Sequence, residues 1–268
     1  MHARLNAPEV ATRDLVQRRE RRVLAAGIAL LVAASWLYMV PTARDMYGSM
    51  SGPAAWMMND TWDSRYAALI FVMWAVMMVG MMLPSATPAI LVFSTIVRGR
   101  PAPVSPLLRT SAFAGGYLLT WIAFSVGATA LQWALARASL LSPMMESASL
   151  PLSGAIVIAA GLYQMTPLKQ SCLSHCRSPV SDFARRWRPG LSGALRMGME
   201  HGLYCTACCW ALMLLLFAAG VMSLAAIAAI TVFVLLEKVV PLGTRGGIAT
   251  GVPLLLVGAW LLACAAAA

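Results

Sequence analysis

Gly198-Met-Glu-His-Gly-Leu-Tyr-Cys-Thr-Ala-Cys-Cys-Trp-Ala-Leu-Met-Leu-Leu-Leu-Phe-Ala218 is an apolar run that contains Glu200 and neither Lys nor Arg. A helix needs about 20 such residues to cross the hydrocarbon core of a bilayer, and this stretch has that length. It also carries His201, Cys205, Cys208 and Cys209, so it predicts a membrane helix bearing metal-binding or redox-active donors. Working outward, six further apolar stretches lie at roughly 23–40, 67–97, 111–135, 151–170, 222–240 and 247–266. Hydrophobic residues make up 60% of the chain and charged residues 11%, against about 25% charge in a soluble domain. The expected fold is all-α: a polytopic transmembrane bundle of about seven spans, with a basic segment at 1–22 and the helical domain at 23–268.

The net charge of +10 is not a nucleic-acid signal, because the Lys and Arg residues fall in short segments between apolar runs. Arg4, Arg13, Arg18, Arg19, Arg21 and Arg22 precede the first run, which is long for a signal sequence and is followed by no small-x-small cleavage site. Arg98, Arg100 and Arg109 follow the second run; Lys169, Arg177, Arg185, Arg186, Arg188 and Arg196 lie at and beyond the end of the fourth; Lys238 and Arg245 lie at and beyond the end of the sixth. On a seven-span path these segments all fall on one side, and cytoplasmic loops are the ones enriched in Lys and Arg. The expectation is a multi-pass protein of a bacterial inner membrane, N-terminus in the cytoplasm and C-terminus outside. Inside the second run, Pro84-Ser-Ala-Thr-Pro88 predicts a kinked or discontinuous helix, since proline removes a helical hydrogen bond and broken helices in membranes often line transport sites.

Five of the six Cys and two of the three His fall within one short region: Cys172, His175 and Cys176 after the fourth run, then His201, Cys205, Cys208 and Cys209 in the fifth. Residues four apart share a helix face, so His201, Cys205, Cys209 and Met213 form one stripe, and Cys172 and Cys176 another. Two helix ends meeting at the cytoplasmic mouth of the bundle can then present thiolates and imidazoles to one point, Cys172 or Cys176 approaching Cys205 or Cys208. Thiolate and imidazole suit zinc and Cu(I), and thioether adds to the Cu(I) case. Met supplies the second signal, with 18 residues. Met73, Met77 and Met81 step by four along the second run beside Met78 and Met82, while Met39, Met46, Met50, Met57 and Met58 crowd the first run and the loop after it. A single Met is ordinary gap filling in a core; a double row running into a proline pair points to a soft metal. Glu237 lies within the sixth run, and intramembrane carboxylates are functional suspects. It is a candidate ligand, a partner to His201, or a group that pairs with Lys169 or Arg245. Lys238 is expected to snorkel to the surface, Tyr163 and Gln164 to line the cavity, and Gly247 and Gly251 to let the last helix pack closely.

Three stretches are distinctive together: Gly161 to Pro179 with its Lys-Gln-Ser-Cys-Leu-Ser-His-Cys core, His201 to Met213, and Trp74-Ala-Val-Met-Met-Val-Gly-Met-Met-Leu-Pro-Ser85. With Gly220-Val-Met222 and Glu237-Lys238 they resemble a bacterial family of integral membrane proteins of unknown function described as predicted metal-binding. The resemblance covers roughly residues 65–262. Ala207 stands where that family more often has Gly, a departure that removes no donor. The resemblance implies a bound metal and, for some relatives, an accessory role to copper enzymes.

Metal-site candidates are therefore Cys172, His175, Cys176, His201, Cys205, Cys208, Cys209, Glu237, Met77, Met78, Met81 and Met82. The function these residues favour is handling of a soft transition metal, copper before zinc, by transport or by delivery to a copper enzyme or metallochaperone. Cys205-Thr-Ala-Cys208 keeps a thiol-disulfide relay open as an alternative, and a structural zinc in an assembly factor is a third. No hydrolase triad, phosphate loop or paired carboxylates point to a soluble-type enzyme.

Overall fold

The computed structural model describes residues 7–48, 62–100, 102–142, 145–240 and 243–267. Met50, Met57 and Met58 lie outside them. Nine helices are described: α1 (Ala7–Met46), α2 (Ser64–Arg98), α3 (Pro106–Arg137), α4 (Leu150–Gln164), α5 (Pro167–Arg177), α6 (Pro179–Arg185), α7 (Gly190–Ala219), α8 (Leu224–Val239) and α9 (Gly243–Ala267). No strand is present among the described residues, and the expected all-α bundle is what forms. The helix starts are written locally. The side chains of Asp63, Ser105, Ser149, Thr166 and Ser223 each accept a hydrogen bond from a first-turn amide, and α3, α4 and α5 have Pro in the first turn, where its missing N–H costs nothing.

Among the described residues, five helices are long and apolar enough to cross a membrane: residues 18–46 of α1, α2, α3, α7, and residues 245–267 of α9. α4 and α5 pass that test together but are bent by 64° at their junction. α8 has 16 residues, about 24 Å at 1.5 Å per residue, short of the ~30 Å hydrocarbon core. Two of the seven straight runs expected, those at 151–170 and 222–240, thus become partial helices, and the cause is proline. Thr166, before Pro167, takes ψ 145°, and Val240, before Pro241, takes ψ 116°; both have left the helical region as the following ring demands. The prolines of α2 act differently. The helix continues through Pro84 and Pro88, with Ser85 and Thr87 hydroxyls donating back to the Met82 and Leu83 carbonyls at 2.8 and 3.0 Å. The interruptions of the bundle therefore fall at the α4–α5 elbow and the end of α8.

Two glycine contacts set the packing. α3 lies tightest on α7: a Cβ on Gly198 would sit 1.9 Å from the Phe113 carbonyl oxygen, and one on Gly116 would sit 2.0 Å from that of Leu195. α9 lies on α4 in the same way, a Cβ on Gly251 falling 2.8 Å from the Gly161 carbonyl and one on Gly247 2.6 Å from that of Gln164. Small residues at such crossings let backbones approach in a membrane. The core runs between α2, α3 and α7, where Trp74, Phe93, Phe113, Tyr117, Trp121 and Phe217 are buried. Outward, Leu37, Leu30, Leu256 and Trp260 are 74%, 70%, 67% and 64% exposed, an apolar surface suited to lipid and not to water.

Candidate metal centre

Cys205 lies midway along α7, which runs from Gly190 to Ala219. The helix starts earlier than the apolar run suggests, so the cysteines sit inside the bundle and not at its mouth. Cys205, Cys208 and Cys209 are 0%, 2% and 1% exposed. Spacing puts Cys205 and Cys209 on the face turned to α2 and α3, because the glycine face Gly198–Gly202 of the same helix is pressed against α3. From α3, the Tyr117 hydroxyl lies 3.1 Å from Cys205 Sγ and also donates to the Met82 carbonyl at 3.1 Å. From α2, Met82 Sδ lies 4.0 Å from Cys209 Sγ. From α5, the Cys176 side chain is buried in the same cluster as Cys205 and Cys208, and Cys172 is buried one turn earlier on the same helix. The 64° elbow before α5 folds this helix over α7, as the shared-site expectation requires. All six cysteines are free thiols.

Lys238 reaches into this cluster. Its Nζ donates to Cys205 Sγ at 2.9 Å and to Ser85 Oγ at 2.7 Å, joining α8 to α7 and α2. The expectation that it snorkels outward is overturned. α8 ends at Val239, level with the middle of α7, so its last turn points a cation at the thiols rather than at the membrane surface. A signal for this lies in the Glu237-Lys238 pair, two opposite charges inside an apolar run. Tyr117 and Ser85, which complete the shell, carried none beyond being polar within apolar helices.

Glu237 takes the third of its expected roles. Both its carboxylate oxygens accept from Lys169 Nζ at 2.7 Å, and Lys169 is fully buried. Gln164 donates to the same carboxylate at 3.2 Å and accepts from Lys169. Arg177 donates to the Glu237 and Val240 carbonyls, where a cation complements a helix C-terminus. These contacts strap α5 to the end of α8. Glu237 is thus committed to holding Cys172 and Cys176 in place. Tyr163 donates to the Ala207 carbonyl, tying α4 to α7.

The imidazoles stand apart from the sulfurs. His201 is buried in an aromatic box, its ring centroid 5.9, 6.0 and 6.1 Å from those of Phe113, Tyr117 and Phe183, one turn before Cys205. His175 stacks on Tyr204 at 4.3 Å with Nδ1 2.9 Å from the Ser171 carbonyl. Glu200 pairs with Arg188 and Arg196. Met77, Met78 and Met81 are wholly buried along α2, and Met78 precedes Met82 by one turn on the row that ends at the thiols. Among the described residues, no three His, Cys, Asp or Glu side chains stand ready around one point. The reason is visible: the Cys208 and Cys209 thiols are turned toward the Cys205 carbonyl at 3.1 and 2.9 Å, and Lys238 holds Cys205.

The arrangement is a buried cluster of cysteine thiols and a methionine thioether in an apolar helical bundle, a set of donors whose chemistry suits soft metal ions. Residues 71–261 match the model of the PpoB2 family, described as a copper chaperone. The match covers most of the chain, which therefore belongs to that copper chaperone family. No curated protein and no solved structure matches it.

Proposed function

We propose that this protein is an integral membrane chaperone that holds Cu(I) in the bundle and hands it to a copper enzyme or metallochaperone. The observation that carries the reading is the gathering of sulfur from three helices: Cys176, Cys205, Cys208 and Cys209 buried in one cluster with Met82, whose Sδ lies 4.0 Å from Cys209 Sγ. Thiolate with thioether selects Cu(I), whereas imidazole or carboxylate in the set would favour zinc. Copper is cargo here. Cys205, Cys208 and Cys209 can offer it sulfur once the latter two leave the Cys205 carbonyl and Lys238 withdraws. Tyr117 and Ser85 place two hydroxyls beside Cys205 and Lys238. The Met78–Met82 row of α2 supports passage of Cu(I) along the bundle, and the loop charges support an inner membrane orientation with the N-terminus in the cytoplasm.

A relay of thiols and disulfides is less well supported. Cys205 and Cys208 lie in the middle of a continuous helix, where residues three apart have Cβ atoms about 5–6 Å apart, while a disulfide needs about 3.5–4.5 Å. The test is competition with a coloured Cu(I) chelator on purified, reduced protein. Wild type and Cys264→Ser should hold copper equally, and Cys205→Ser should bind it at least about a hundredfold more weakly, the ~3 kcal/mol expected for a lost ligand. Equal affinity in Cys205→Ser overturns the site.

A further inference from the structure

The stripe that carries the thiols continues past them. Met197, His201, Cys205, Cys209 and Met213 step by four along α7, and all five are buried. Sixteen residues of helix span about 24 Å, so soft donors follow one face for most of a bilayer's depth. At one end this stripe meets a cleft of about 20 Å³, lined by Asp182, Phe183, Arg186, Met197, His201 and Tyr204, together with Glu200. A space above about 10–15 Å³ holds one water, hence also one bare ion. Arg186 is exposed and donates to the Tyr204 hydroxyl at 2.8 Å, so the mouth of the cleft is at the surface while its floor is His201.

We propose that this cleft is the port through which Cu(I) passes between the buried thiols and a soluble partner, with His201 and Met197 as the relay. Their chemistry fits: imidazole and thioether are softer than water and weaker for Cu(I) than thiolate, so an ion pauses there without being trapped. The aromatic box of Phe113, Tyr117 and Phe183 excludes water from the step. The ion moves as Cu(I) by ligand exchange, with no electron transferred. On the rim, His175 Nδ1 faces the Ser171 carbonyl, which must accept its proton; Nε2 is then left as the lone-pair nitrogen of the neutral ring, beside Tyr204. The partner that fits presents its own soft donors, thiols or thioethers, to this rim.

The inference rests on the copper reading, and the experiment separates the two. Wild-type protein, His201→Phe, Met197→Leu and, as a control on the outer face, Leu203→Ala are loaded with Cu(I) in detergent under reductant. Copper content is measured first, then the rate of loss to bathocuproine disulfonate, a bulky soluble Cu(I) chelator. Expected is wild-type content with release slowed at least about tenfold in His201→Phe, about 1.4 kcal/mol on the barrier, a smaller slowing in Met197→Leu, and no change in Leu203→Ala. Release at the wild-type rate from both port variants overturns the port and leaves the copper site standing. Loss of bound copper from the near-isosteric Met197→Leu, or from His201→Phe with an unchanged melting temperature, also overturns it, since those residues then belong to the resident site. A wild type that takes up no copper removes the copper reading and the port with it.

Discussion

Cys205 is the residue on which the pocket turns. It meets Tyr117 from α3 and Lys238 from α8, shares a buried cluster with Cys176 from α5, and its carbonyl receives the thiols of Cys208 and Cys209. Lys238 stands where a bound cation competes with it. Two unit charges about 4 Å apart repel by roughly 4 kcal/mol at an effective dielectric of 20, and the lysine's flexible stem relieves part of that by swinging away. Lys238→Met keeps the length, removes the charge and adds a thioether. Cu(I) affinity should rise by about tenfold or more, read by chelator competition; an unchanged or weaker affinity would show that the ammonium organises the thiols more than it opposes the ion. That Lys238 points inward could not be read from the sequence, because a lysine near a helix end ordinarily snorkels. What reverses it is the proline after Val240, which stops α8 level with the middle of α7.

At the scale of elements, two constructions position the pocket. The first is the crossing of α3 and α7, where the Gly198 Cα faces the Phe113 carbonyl so closely that a Cβ would come to 1.9 Å. Backbone cannot move aside as a side chain does, so Gly198→Ala should cost at least the ~1–3 kcal/mol of core overpacking, seen as a lowered melting temperature in detergent and lower copper content. The second is the strap from α5 to α8. Lys169→Met alone leaves the Glu237 carboxylate buried without its cation, a loss of about 3–5 kcal/mol. Combining it with Glu237→Leu should restore most of the melting temperature, since a buried ion pair replaced whole by apolar residues is close to neutral. A double variant as unstable as the single one would mean the strap acts through more than charge. The i, i+4 spacing of the cysteines within each group was legible in the sequence, and so was the soft character of the donors they offer. The elbow was legible only in part: Pro167 and Pro241 carry the same local signal as Pro84 and Pro88, and only tertiary contacts decide which proline breaks a helix. His201 shares the cysteine stripe in sequence, yet the aromatic residues that enclose it come from α3 and α6 and have no sequence periodicity linking them to it.

The described residues form a bundle of apolar helices, five of them long enough to cross a membrane, whose two partial helices, α4 and α8, end near the buried sulfur cluster. With α8 at 16 residues and α4 bent into α5, the path of the chain across the bilayer depends on whether those partial helices each count as a crossing. Loop charge argues for seven crossings. Reporter fusions after Arg100 and Arg188 should then read cytoplasmic and a fusion at the C-terminus external; a cytoplasmic C-terminus would reduce the count by one and place the α8–α9 connection within the membrane. The central claim is that copper rests among sulfurs inside this bundle. X-ray absorption at the copper edge, on reduced protein loaded with Cu(I), tests it most directly. The predicted result is a first shell of sulfur alone at about 2.3 Å, the usual metal–thiolate distance for this size of ion, lost in the Cys205→Ser, Cys208→Ser, Cys209→Ser triple variant. A first shell of nitrogen and oxygen, or a sulfur shell that survives in the triple variant, would contradict it.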